Sequence, residues 1–251
     1  MIHTNTHINI PVNQEHYMPS RKISPFFKKT LYPILLCLTW ASAVHATEED
    51  SLKPQTVTAT DAFKDFLKCD ASFFMTLKNN PTVLGQNIKV VERAHAAVPE
   101  VMDPLYEKGH QQIFEKPVTL GNLSLHGWHN EVTHDVNDGS FLFWGFIVNG
   151  ETNQVAQEIN RLLPEDRQVK NVGPVWARPE MRLVGDPINV FRKGGVHGKV
   201  TDKGTVERVL LVEGDPGASP PRTKIFCSLQ GSLSPILLKS IRPDLIEKEY
   251  P

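Results

Sequence analysis

The stretch Ser140–Val148, SFLFWGFIV, decides the fold. It is rich in aromatic and β-branched residues and lies between the turn-forming Asn137-Asp138-Gly139 and Asn149-Gly150, which makes it a strand. On a strand, Phe141, Phe143 and Ile147 point to one face and Leu142, Trp144, Phe146 and Val148 to the other, so both faces are apolar. A strand with one wet face would alternate. Either a second layer buries both faces, or one face is an aromatic patch for a partner. In the second case Trp144 and Phe146, with Trp128 from the neighbouring strand, are the binding residues.

Upstream, the period is also two from Val118, where Leu123 and Leu125 alternate with Ser124 and His126, and a hairpin with a long loop is expected. Farther back, Phe63, Phe66 and Leu67 stand at helical spacing behind a Thr60/Asp61 cap. After Cys69 a new cap, Asp70 or Ser72, starts a second helix with Phe73, Phe74 and Leu77, which Asn80-Pro81 stops. Ile88, Val91, Ala94 and His95 predict a third, broken before Pro99. Downstream, Thr152 caps a helix with Val155, Ala156, Ile159, Leu162 and Leu163 on one stripe, ended by Pro164.

The second half repeats parts of this plan at lower fidelity. Pro187-Ile188-Asn189-Val190 is similar to Pro117-Val118-Thr119-Leu120, Asp202-Lys203-Gly204 to Asn137-Asp138-Gly139, and Leu210–Gly214 to Phe146–Gly150. An exposed loop, DPGASPPR at 215–222, leads to a return strand ending at Cys227, and Ser234-Pro235 opens a short helix with Ile236, Leu237, Leu238 and Ile241. The expected fold is α+β, with helices on one face of antiparallel sheet in two related units, 60–164 and 165–251. In order of elements, internal similarity and export, the chain resembles the tandem-repeat β-lactamase-inhibitor-like proteins, secreted bacterial modules of two helix-plus-sheet units. The long helical lead from Thr60 to Ala97 departs from their pattern.

The compartment is written at the start of the chain. Arg21, Lys22, Lys28 and Lys29 precede an apolar run from Leu31 to Trp40, and Val44-His45-Ala46 follows with small or apolar side chains before the expected cut. An anchor would need about 18 apolar residues in a row, and this run is about half that and contains Pro33. Residues 1–46 therefore read as a cleavable signal, with no membrane anchor left after cleavage; a start at Met18 would give it ordinary length. Cys37 sits inside the apolar run and lacks the small preceding residue that lipid attachment needs. Residues 47–59 read as a flexible lead-in. The expected location is periplasmic or secreted.

With Cys37 gone, Cys69 and Cys227 are left in an oxidising compartment and are expected to pair. The chain-entropy model assigns so long a loop a stabilisation of about 5 kcal/mol, an upper figure. Cleavage also removes four basic residues and one acidic one (Glu15), leaving 23 Lys and Arg against 27 Asp and Glu, a net charge of −4. That mixed, mildly acidic surface lacks the basic footprint of a nucleic-acid binder. The short spacing of Gly194-Gly195-Val196-His197-Gly198-Lys199 does not suit a phosphate loop, and His197 reads as a turn residue.

One cluster invites a metal. LHGWHNEVTHD carries His126, His129, Glu131, His134 and Asp135, nitrogen and oxygen donors that suit a zinc-like divalent ion. On a strand His126 and His129 face opposite ways, but a loop could gather His129, His134 and Asp135. Otherwise these are solvated hairpin residues. The first functional expectation is a non-catalytic binding or inhibitor-like module without a cofactor, its partner another extracytoplasmic protein. The second is a metal-dependent hydrolase using His126, His129 and His134, with Glu131 as base. A third is a carrier of a small apolar ligand between sheet and helices.

Overall fold

A computed structural model of the chain describes residues 56–135, 139–195 and 200–250. The expected signal at 1–46 lies outside the described residues, as do 47–55 of the lead-in, Asn137, Asp138 and His197. The first described element is α1, Ala59–Phe66. Its cap is Thr58, two residues before the expected one, because Asp61 must stand at the third helical position to reach back: its carboxylate accepts the Thr58 amide at 3.0 Å. In α2, Ser72–Asn79, the cap position falls on Ala71, between the expected Asp70 and Ser72, and has no side-chain cap bond; Asp70, one residue before it, accepts the Ser72 amide at 2.9 Å.

The helix expected from Ile88, Val91, Ala94 and His95 does not form. Val90–Arg93 (β1) and Ala96–Pro99 (β2) form a short antiparallel hairpin that turns at Ala94, whose φ is 48°. Ala96, Ala97 and Val98 are buried one after another, which a one-sided helix cannot do, and a few apolar residues at helical spacing fit a strand–turn–strand equally well.

The main sheet is antiparallel throughout. Its strands are β3 (Gln111–Leu120), β4 (Leu123–Asp135), β5 (Gly139–Asn149), β6 (Lys170–Asn171), β7 (Val175–Leu183), β8 (Arg192–Lys193), β9 (Thr205–Gly214) and β10 (Arg222–Gly231). Helix α3 (Thr152–Leu162) follows β5, and α4 (Pro235–Ile241) follows β10 behind its Ser234 cap. The order is β3-β4-β5-β10-β9-β7-β6, with β8 on β7. A meander of β3, β4 and β5 thus meets the later strands through β5 and β10, paired from Ser140–Gly231 to Asn149–Arg222. The α+β class is borne out, and one sheet runs through both expected units.

Two strands are longer than their sequence suggests. β3 begins at Gln111 and contains Pro117, tolerated because β3 is an edge strand and its pairing is interrupted between Ile113 and Val118. β4 stays paired to β5 through Asp135, so 126–135 is strand throughout and not a strand running into a loop.

The helical side holds the core. Phe63 and Phe66 of α1 and Phe73 of α2 surround Trp128 and Phe146, with ring centroids 5.0 to 5.7 Å apart for Phe66–Phe146, Phe73–Trp128 and Phe63–Phe146. Trp128, Trp144 and Phe146 are fully buried. The aromatic docking patch expected of them is therefore corrected: aromatic helix residues cover them, and they hold the layers together. Both faces of β5 are nevertheless largely shielded, because Ile147 and the facing Phe226 of β10 are buried on the far side, outside the main core cluster.

Two further ties cross the molecule. Cys69, in the turn after α1, bonds to Cys227 in β10 (S–S 2.02 Å), joining the α1–α2 turn to the central strand. Arg242, fully buried after α4, donates to Asp244 (2.8 and 2.9 Å) and to Asn130 (3.0 Å), its guanidinium 4.7 Å from the Trp144 ring centre. Among the described residues no helix is long and apolar enough to cross a membrane.

Candidate functional site

The alternation of β4 sends Trp128 and Asn130 inward and turns His129 and Glu131 to the face away from the helices. His129 and Glu131 are two apart, hence side by side: His129 Nε2 lies 3.0 Å from Glu131 Oε2, and Thr133 donates to the other carboxylate oxygen at 2.9 Å. A third donor comes from another element. His110 ends a tight turn, Glu107–Gly109, just before β3, and its ring meets that of His129 edge-on at 5.5 Å, with Nδ1 3.7 Å from Glu131 Oε2.

Local chemistry fixes all three. The His110 carbonyl accepts the Asn130 amide at 2.8 Å, anchoring its backbone to β4. Gly109 lets the chain fold onto Asp103, since a Cβ there would come within 2.6 Å of the Asp103 backbone. His129 and Phe226 flank Gly145 across the sheet, and in the gap left by that glycine their rings stack at 4.8 Å and 24°. A Cβ on Gly145 would run into the Ile225 carbonyl and the Phe226 ring.

The electrostatics suit cation binding. His110 and His129 are buried, and burial holds the His110 imidazole below its ordinary value, so at neutral pH it is uncharged and free to donate a lone pair. The hydrogen bond from His129 holds the Glu131 carboxyl below the usual carboxylate range. One ligand atom from each residue fits within 4.8 Å of the others. Ligands about 2.0–2.1 Å from a tetrahedral ion are about 3.3 Å apart, so the 3.0 and 3.7 Å separations bracket what a metal requires. The opposite ring nitrogens, His110 Nε2 and His129 Nδ1, are buried and have no hydrogen-bond partner among the described residues, so the stack on Phe226 orients His129 where a second hydrogen bond often would.

The expected ligands His126, His129, His134 and Asp135 are not brought together, because β4 stays extended. His126 occupies the irregular step between the Leu125 and Gly127 pairings and lies 3.0 Å from the Ser124 hydroxyl. His134, exposed near the end of β4, sits 3.0 Å from the Ser140 hydroxyl; Asp135 ends the strand, and its side chain lies outside the described residues. Only His129 and the neighbouring Glu131 survive from the expected cluster. His110 was missed, since only the register Gln111↔His129 brings it to them.

On the same side, Glu213 of β9 pairs in register with Lys224 of β10, and burial pushes its carboxyl above the usual range. No protein-family model, curated protein or solved structure matches the chain, so the likeness to the β-lactamase-inhibitor-like proteins gains no support from them.

Proposed function

We propose that the chain is an exported, non-catalytic binding module whose helix-free sheet face holds one zinc-like divalent ion through His110, His129 and Glu131. The observation that carries this reading is the meeting of those three donors, from two separate elements, at ligand spacing. Two imidazoles and a carboxylate suit zinc and its neighbours in the first transition row better than calcium or magnesium. Export is supported by the basic and apolar start of the sequence, and the Cys69–Cys227 bond is compatible with an oxidising compartment. The partner expected beyond the ion is another extracytoplasmic protein.

Calorimetric titration of chelator-treated protein with zinc tests the site. One ion per chain is expected, with affinity falling at least tenfold in His110→Ala and in His129→Ala and unchanged in His126→Ala and His134→Ala. Absence of binding, or loss of binding in His134→Ala but not His110→Ala, would refute this ligand set. A metal-dependent hydrolase is the second reading, favoured because three protein ligands leave a fourth position for water. It requires the zinc-loaded protein to hydrolyse an activated ester faster than the His129→Ala variant does.

A further inference from the structure

Away from the histidines, a cleft of about 380 Å³ opens between the C-terminal ends of α1 and α3. Its wall is apolar, made largely by Leu67, Leu162 and Leu163. Its rim is cationic: Lys64, Lys68, Arg167 and Arg178 stand against the single carboxylate of Asp70. Two of those cations are already engaged, Lys68 with Asp65 at 2.7 Å and Arg167 with Glu180 at 2.6 Å. Lys64 is exposed and forms no ion pair among the described residues.

Arg178 is the unusual member. It is only 6% exposed, and no carboxylate among the described residues pairs with it. Its guanidinium donates to the Leu67 carbonyl at 2.7 Å and the Arg167 carbonyl at 3.1 Å, which hold it in place without neutralising it, while Nε has no partner among the described residues. Burial, with Arg167 and Arg208 close by, brings its pKa down to about 10 even though Glu180 works the other way. A buried, fixed and unneutralised cation at the edge of an apolar cleft is electrostatically incomplete.

We infer that this cleft binds a single-chain amphiphile with an anionic carboxylate head, the head meeting Arg178 and Lys64 and the alkyl chain lying along Leu67, Leu162 and Leu163. Both halves of the ligand have a counterpart: apolar wall for the chain, excess positive charge for the head. A cleft of about 380 Å³ is at the small end of ligand pockets, which suits a chain on the order of ten carbons. A bare inorganic anion would leave the apolar wall unused, and an alkyl cation would meet Lys64 and Arg178, the two cations of the rim without an ion-pair partner among the described residues.

Decanoate below its micellar concentration is the probe, titrated into the protein by calorimetry with chelator present so that the histidine centre plays no part. Saturable binding is expected, at least tenfold tighter than that of butyrate, which lacks the chain, or of decyltrimethylammonium, which reverses the charge. Lys64→Glu, at an exposed position that leaves the fold intact, should weaken decanoate binding at least threefold, and Arg178→Met should weaken it further. His129→Ala should bind decanoate as the unmodified protein does. Decanoate failing to bind, the alkyl cation binding equally well, or Lys64→Glu leaving affinity unchanged would each overturn the assignment, whatever the outcome of the zinc titration.

Discussion

Glu213 shows how one half-buried carboxyl writes pH into the stability of the sheet. Burial raises its folded-state pKa above that of the unfolded chain, with Lys224 opposing the shift. A raised pKa means that the folded state binds the proton more tightly. The contribution is fully present below the unfolded value of about 4.3 and is lost as pH rises through the folded one. Glu213→Gln should therefore raise the melting temperature at pH 7.5 by a few degrees and have little effect at pH 4, as thermal melts at the two values will show. An equal shift at both would contradict the sign. Residues such as Glu213 and His110 were hard to read from sequence because their environment is set across strands. His129 and Glu131 share a face by strand period alone, whereas His110 is nineteen positions earlier and joins them only through pairing register.

Among the elements, α4 and the segment after it are held by charge inside the core. Arg242 and Asp244 are both fully buried, and Asn130 of β4 is the third partner. Removing one member of a buried pair leaves the other uncompensated, so Arg242→Met should cost about 3–5 kcal/mol in urea unfolding. Arg242→Met with Asp244→Leu should recover part of that loss, because the double change also removes the stranded carboxylate. The apolar stripe of α4 and its Ser234-Pro235 start were plain in the sequence, as were the apolar periods of α1, α2, α3 and the middle of β5, whereas the caps of α1, α2 and α3 fall at Thr58, Ala71 and Glu151 and not at Thr60/Asp61, Asp70/Ser72 and Thr152 as expected. The β1–β2 hairpin was not, because the apolar spacing over 88–95 is compatible with two structures and burial of Ala96–Val98 decides between them.

At the scale of the molecule, the Cys69–Cys227 bond closes a loop with a sequence separation of 158 between the helical layer and the centre of the sheet. Reduction should lower unfolding free energy by up to about 5 kcal/mol, measured by urea melts with and without reductant. The pairing was legible from cysteine number once export was inferred. The way the two expected units meet was not: similar segments suggested matched halves, but Pro187–Val190 lies between strands while Pro117–Leu120 belongs to β3. The strand order has a temporal consequence. Among the described residues β10 is the last strand in the sequence and yet the one that seats between β5 and β9, so the β3-β4-β5 meander and the β9-β7-β6 strands share no pairing until residues 222–231 have been synthesised. Completion of the sheet thus waits on β10, and a delay in its pairing would leave the margins of β5 and β9 open to foreign strands.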